Sequence, residues 1–204
     1  MNETLKRTIY GSIYVIIMWF GASFSSLTFH LLFFIILIMC LSEMWKLRKG
    51  KTKILAICYV IIPLLLIQIL GIYNTNLILF MFILTWTFDT FAYIIGVKIG
   101  KNKIMPSISP KKSWEGFIGG FIFTIIASYF SYRYFEFNSF QNPLTISIIL
   151  PFTATLGDFI ESNYKREAGV KDSGNLIPGH GGILDRMDAF LITIPVLYIL
   201  INLL

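Results

Sequence analysis

The sequence predicts an all-α fold: a polytopic integral membrane helical bundle of about seven transmembrane helices with its amino terminus in the cytoplasm. Three observations predict it. The chain is 56% hydrophobic and only 14% charged, whereas a soluble domain is nearer a quarter charged. Mean hydropathy is +0.74, and several stretches approach the ~20 apolar residues a helix needs to cross a bilayer. These apolar runs are continuous rather than alternating, which favours helices over barrel strands. Helices also satisfy their own backbone amides in lipid.

The spans are expected at residues 8–22, 26–47, 54–71, 76–99, 115–134, 143–165 and 187–204. The first follows Lys6 and Arg7 and ends at Gly21-Ala22-Ser23, a pattern shared with signal peptides. In a multispan chain it is expected to stay as a signal-anchor helix. The second span is closed by a basic loop from Lys46 to Lys53, and the third by an uncharged turn from Gly71 to Asn76. The fourth carries Asp89 and ends in a Gly, Pro and Ser-containing loop from Gly100 to Pro110. There Ser109-Pro110 reads as a helix cap with Pro in the first turn of the fifth span. A polar turn, Asn138 to Pro143, separates the fifth span from the sixth.

Charge sorts these loops. Sixteen of the 17 Lys and Arg residues fall before the first span or in the loops after the second, fourth and sixth; Arg133 alone lies on the other side. The positive-inside rule then places those loops and the amino terminus in the cytoplasm and the carboxyl terminus outside. The net charge of +6 is explained by loops that face anionic lipid headgroups. No soluble basic domain exists to carry nucleic-acid binding. Cys40 and Cys58 lie in apolar runs and read as core fillers. His30 reads as structural or interfacial, Trp45 and Trp114 as interface anchors, and Glu43 as an interfacial residue with a neighbouring base as partner.

Chemistry concentrates in residues 158–188, which hold six of the 11 Asp and Glu residues and four of the 17 Lys and Arg. Asp158, Ser162 and Lys165 are spaced i, i+4, i+7 and share one helix face. Asp185 and Asp188 are spaced i, i+3 at the start of the seventh span, where carboxylates also suit the helix dipole. The two faces could converge on a hard cation such as Mg²⁺, which takes oxygen ligands from one or two carboxylates plus substrate phosphates. Gly179-His180-Gly181-Gly182 forms a flexible turn before that helix, and such a helix amino terminus is a ready phosphate site. Lys165, Arg166, Lys171 and Arg186 supply cations for phosphate oxygens. Asp89 sits midway along an apolar span, where a charge costs ~2.5–3.5 kcal/mol on insertion scales, so a role in a site is expected of it. Gly96 and Gly100 have the small-xxx-small spacing of helix packing.

This block resembles the phosphatidate cytidylyltransferase family, also called CDP-diacylglycerol synthases. The residues that carry the resemblance are Gly157-Asp158, Ser162, Lys165-Arg166, Lys171-Asp172, Pro178 to Gly182, Asp185-Arg186 and Asp188. A second block is similar to the family's Ser-Pro-Lys-Lys-Thr-Trp-Glu-Gly stretch: Ser109-Pro110-Lys111-Lys112-Ser113-Trp114-Glu115-Gly116, preceded by Asp89, Ala92-Tyr93 and Gly96. The resemblance covers about residues 80–204. It divides the chain into N-terminal transmembrane helices over 1–75, with weak family likeness, and a catalytic transmembrane domain over 76–204 with a cytoplasmic loop at 165–186.

The resemblance implies transfer of a cytidylyl group from CTP to phosphatidate, giving CDP-diacylglycerol and pyrophosphate. It implies catalytic roles for Asp158, Lys165, Arg166, Lys171, Asp172, His180, Asp185 and Arg186. Ser109, Lys111, Lys112, Ser162, Gly181, Gly182 and Asp89 are the expected substrate-binding residues. Asp158 and Asp185 are the first expected metal ligands, with Asp188 and Ser162 in support. Mg²⁺ is the implied cofactor, with a second cation such as K⁺ left open. The implied partners are CTP, the phosphatidate lipid and the bilayer; a homodimer is left open, and no nucleic acid is expected. The implied location is a bacterial-type inner membrane, with the site on the cytoplasmic side. Two alternatives stay open. A related CTP-dependent lipid kinase of the polyprenol or phytol type would release free CDP, and a non-enzymatic transporter built around Asp89 would give flux without CTP turnover. CDP-alcohol phosphotransferases are disfavoured, because the chain has no Asp-Gly-x-x-Ala-Arg pattern.

Overall fold

The computed structural model describes residues 3–135, 137, 142–177, 179 and 181–203. Among them are seven α-helices: α1 (Glu3–Ser23), α2 (Ser26–Leu47), α3 (Ile54–Tyr73), α4 (Thr75–Ile99), α5 (Trp114–Ser131), α6 (Pro143–Glu167) and α7 (Leu184–Leu203). Between α4 and α5 lies a short antiparallel hairpin of β1 (Lys103–Met105) and β2 (Ser109–Ser113). The helices α2 to α6 are long and apolar enough to cross a membrane, and α1 adds a shorter apolar stretch, Thr8–Ser23. The chain is therefore an all-α membrane bundle, as the continuous apolar runs predict.

Local chemistry explains the helix starts. Ser25 and Thr28 form a reciprocal capping box at α2: Ser25 Oγ accepts from the Thr28 amide at 3.1 Å, and Thr28 Oγ1 accepts from the Ser25 amide at 3.0 Å. Asn74 caps α4 by accepting from the Leu77 amide at 3.1 Å. Asn142 caps α6 with Pro143 in the first turn, where a missing amide proton costs nothing.

Packing sets the bundle. Phe29, Phe33, Leu64, Ile67, Phe80, Phe82 and Leu150 are fully buried. Phe20, Phe34, Ile38, Ile62 and Phe130 face outward, a belt suited to lipid rather than water. α4 packs most extensively on α5, and α7 is held by α6, α3 and α2. The α4–α5 contact is close because Gly116, Gly119 and Gly120 share one face of α5. A Cβ on Gly120 would come within 2.8–2.9 Å of the Phe88 ring and carbonyl, and one on Gly116 within 2.6 Å of the Ala92 carbonyl and 3.1 Å of the Gly96 Cα. Gly96 thus packs helices, as its spacing predicts.

One end of the bundle gathers the basic loops. Arg48 and Lys51 in the α2–α3 loop both pair with Glu167 at the end of α6. Arg166 Nε donates to the Ile108 carbonyl in the hairpin at 3.4 Å. The loops that charge alone assigns to one side are therefore in contact with one another.

Candidate active site

The hairpin corrects one expectation. Ser109-Pro110 is not a helix cap; it opens β2, and the cap of α5 is Ser113, whose Oγ accepts from the Gly116 amide at 3.2 Å. Lys111 and Lys112 are thereby kept out of the first turn of a helix, where cations oppose the dipole. Glu115 takes that position and accepts from the amides of Lys101 and Asn102 and from Asn102 Nδ2 at 2.7 Å, which ties the hairpin to α5. Lys112 is half-buried and pairs with Asp158, while Lys111 is exposed; both line one groove.

On α6, Asp158, Glu161, Ser162 and Lys165 form one face. Ser162 Oγ donates to Asp158 Oδ1 at 3.0 Å. Lys165 pairs with Glu161 one turn back and donates to Asp185 Oδ1 at 2.7 Å. α7 lies close by at this level, since a Cβ on Gly157 would collide with the Asp188 carbonyl. Tyr59 of α3 donates to the Gly157 carbonyl at 3.0 Å. Carboxylate oxygens of Asp158, Glu161 and Asp188 lie within 4.8 Å of one another. Asp89, Asp158, Lys165, Asp172, Asp185, Arg186 and Asp188 line one cavity of about 270 Å³.

Between α6 and α7 the chain folds back on two carboxylates. Asp185 Oδ2 accepts from the Ser173 amide at 2.9 Å, Ser173 Oγ at 3.0 Å and the Gly182 amide at 2.7 Å. Glu43 of α2 accepts from Ser173 Oγ at 2.7 Å, the Ile183 amide at 3.0 Å and the Leu184 amide at 2.9 Å. Gly181 adopts φ +84°, a left-handed conformation that other residues disfavour.

These contacts correct one further expectation. Glu43 is neither interfacial nor paired with a base: it is buried, 5% exposed, and binds only the α6–α7 segment among the described residues. Within and just after the glycine turn, the amides of Gly182, Ile183 and Leu184 are engaged by carboxylates of the protein itself. Gly182 donates its amide to Asp185, and Gly181 supplies the left-handed bend of the turn. Asp185 has both oxygens in hydrogen bonds, to Lys165 on one side and to the α6–α7 segment on the other, so it also anchors that segment.

The other expected residues divide. Asp89, Asp158, Lys165, Asp172, Asp185, Arg186 and Asp188 converge, and Lys112 joins them through Asp158. Ser109, Lys111 and Lys112 line an adjoining groove of about 570 Å³ that shares Asp89 and Asp158 with the acidic cavity. Phe88, Ala92, Tyr93, Val97 and Phe117 give it an apolar side. Arg166 points elsewhere, donating to the carbonyls of Ile108 and Val170. Lys171 is exposed. Pro178 and His180 lie outside the described residues. Arg186 has a buried Nε with no hydrogen-bond partner among the described residues. It also lines a further cavity of about 320 Å³ with Tyr14, Trp86, Asp89 and Asp188.

Glu161 and Ser173 are not among the residues expected at the site, and Glu43 was expected only at the interface. Glu161 carried a usable signal, since it stands i+3 from Asp158 and i−4 from Lys165. Glu43 and Ser173 carried none, because their partners are 130 or more residues distant or belong to an irregular turn.

The carboxylates suit a hard cation. Three converge from two helices, and the Glu161 carboxylate, buried beside Lys165, accepts no hydrogen bond of ordinary geometry among the described residues.

Acids from α4, α6 and α7 thus meet a lysine-bearing groove within one helical bundle. The chain belongs to the cytidylyltransferase family, which matches residues 52–204 and so takes in α3 as well as the expected 76–204 region. It is 44% identical over 152 residues to a phosphatidate cytidylyltransferase of Staphylococcus saprophyticus, covering 72% of this chain and 58% of that protein. It is 48% identical over 125 residues to the protein of that name from Staphylococcus haemolyticus, covering 61% of this chain and 48% of the relative. The Staphylococcus aureus protein of the same name is 46% identical over a stretch of the same length and coverage. The chain thus spans about half the length of these relatives.

Proposed function

We propose that this chain transfers the cytidylyl group of CTP to phosphatidate, forming CDP-diacylglycerol and pyrophosphate. The observation that carries this is the junction of two chambers at Asp89 and Asp158. A groove with lysines at one end and apolar walls along α4 and α5 opens onto a cavity lined by carboxylates, Lys165 and Arg186. The groove suits a lipid phosphate, with acyl chains on the apolar side and the headgroup at Lys111 and Lys112. The acidic cavity suits a metal–triphosphate complex. The relatives' names support the same substrates.

The chemistry asks little of a base. A phosphatidate oxygen, ionised at pH 7, attacks the α-phosphorus of CTP. The bond from that phosphorus to the bridging oxygen breaks, and pyrophosphate leaves with the electron pair. The difficulty is to bring two polyanions together and to hold the charge that develops on the leaving group. Lys112 orients the lipid phosphate beside Asp158, and Lys165 and Arg186 face the triphosphate. Asp158 and Asp188, with Glu161, would hold Mg²⁺. Bound there, Mg²⁺ would neutralise phosphate oxygens and stabilise the departing pyrophosphate. Asp185, in this scheme, holds Lys165 in place. The basic loops at this end support a cytoplasmic site in a bacterial-type inner membrane, where CTP is available.

The test is turnover by purified protein in detergent with CTP, phosphatidate and Mg²⁺. CDP-diacylglycerol and one pyrophosphate per lipid are expected. Free CDP with a phosphorylated lipid alcohol would indicate a kinase instead, and no CTP-dependent product would overturn the assignment.

A further inference from the structure

We propose that Glu43, on α2 and outside the 52–204 stretch matched by the family, is a positioning residue that sets the start of α7 and the direction of its acidic first turn. The start of α7 has no cap of its own. Gly181-Gly182-Ile183 precedes Leu184, and none of the three has a side-chain acceptor. The amides of Ile183 and Leu184 are buried and would be orphaned. Glu43 satisfies both, at 3.0 and 2.9 Å, with a negative charge at the positive end of the helix.

The fit around Glu43 leaves no slack. A Cβ on Gly182 would collide with its carboxylate, and one on Gly174 would come within 2.7 Å of it. Ser173 Oγ lies 2.7 Å from Glu43 and 3.0 Å from Asp185, so one hydroxyl proton serves two carboxylates and locks them in register. The α7 ladder then begins at the Ile183 carbonyl, which accepts from the amides of Arg186 and Met187 at 3.0 and 3.1 Å. The rotation of α7 that Glu43 sets is therefore the rotation that aims Asp185, Arg186 and Asp188. No side chain of Glu43 reaches the acidic cavity, so its action is through α7.

The consequence for turnover rests on the proposed cytidylyl transfer; the consequence for the turn does not. Hydrogen exchange of detergent-purified protein, without substrate or metal, would compare wild type with Glu43→Gln. Gln keeps the size but presents an NH₂ to one of the two amides. Exchange over residues 173–187 is expected to rise about tenfold, with α3 and α5 unchanged. The Mg²⁺ concentration that half-saturates thermal stabilisation should also rise, a readout that needs no turnover. With CTP and phosphatidate, kcat is expected to fall about 10²-fold, as for a displaced catalytic group, with the KM for phosphatidate unchanged. Glu43→Asp, which restores the charge on a shorter arm, should recover part of each effect; it carries the same measurements if Glu43→Gln does not fold. A merely structural Glu43 would lower the yield of folded protein but leave the Mg²⁺ requirement and kcat of the folded fraction as in wild type, and that result overturns the proposal. Unchanged exchange over 173–187 overturns it as well. Absence of turnover in the wild type would count against cytidylyl transfer, leaving exchange and Mg²⁺ stabilisation to decide the role of Glu43.

Discussion

Lys165 of α6 donates to Asp185 of α7 at 2.7 Å while pairing with Glu161 on its own helix. One ammonium thus joins two helices and offsets two buried carboxylates. Removing either side leaves a buried charge uncompensated, which typically costs ~3–5 kcal/mol.

Lys165→Met is therefore expected to lower thermal stability and abolish turnover together. Lys165→Arg should retain most of the stability, since it keeps the charge, but lose most of kcat because the fork geometry differs. Melting temperature in detergent beside kcat separates the two effects. Wild-type behaviour of Lys165→Met would show that the ion pairs are incidental.

The metal assignment predicts that chelation of divalent cations abolishes turnover and that excess Mg²⁺ restores it. Asp158→Asn and Asp188→Asn should each reduce kcat by ~10²–10³-fold, the usual scale for a lost electrostatic contact in the transition state. The double variant should be less than additive, because both act on one metal–phosphate assembly. Activity in the presence of chelator would exclude the assignment.

Lys112 pairs with Asp158 across the mouth of the groove. Lys112→Gln should raise the KM for phosphatidate by ~10-fold or more, consistent with loss of a charge-assisted phosphate contact. The KM for CTP should change much less. An equal rise in both constants would mean that Lys112 does not distinguish the two substrates.

The α4–α5 interface is set by backbone proximity. Gly120→Ala should destabilise by ~1–3 kcal/mol through overpacking against Phe88. Thermal melts compared with Gly50→Ala, where a Cβ meets nothing but φ is +77°, separate packing from backbone strain.

Topology is open to cysteine labelling after replacement of Cys40 and Cys58 by Ser. Lys49→Cys and Asn175→Cys should label from the cytoplasmic side, and Asn74→Cys from outside. The reverse pattern would place the site away from cytoplasmic CTP.

Much of this protein could be read from its residues in order. The boundaries of α2, α4 and α6 follow from apolar runs and short-range caps, and Asp158, Ser162 and Lys165 share a face because a helix has a fixed period. Such features depend on neighbours within a turn or two, so the sequence by itself determined them. It also determined the sorting of charge among loops, which the meeting of Arg48, Lys51 and Glu167 bears out as a common end.

Only the tertiary structure decided how those faces are used. The segment 100–113 has no strong periodicity, and its hairpin is held by Glu115 reaching back to Lys101 and Asn102. Nothing in the glycine turn before α7 indicates that Glu43, some 140 residues earlier, accepts from the amides of Ile183 and Leu184. A buried amide takes whichever acceptor packing brings within about 3 Å. Which acceptor that is depends on how α2 lies against α7, and no local pattern in the chain encodes it.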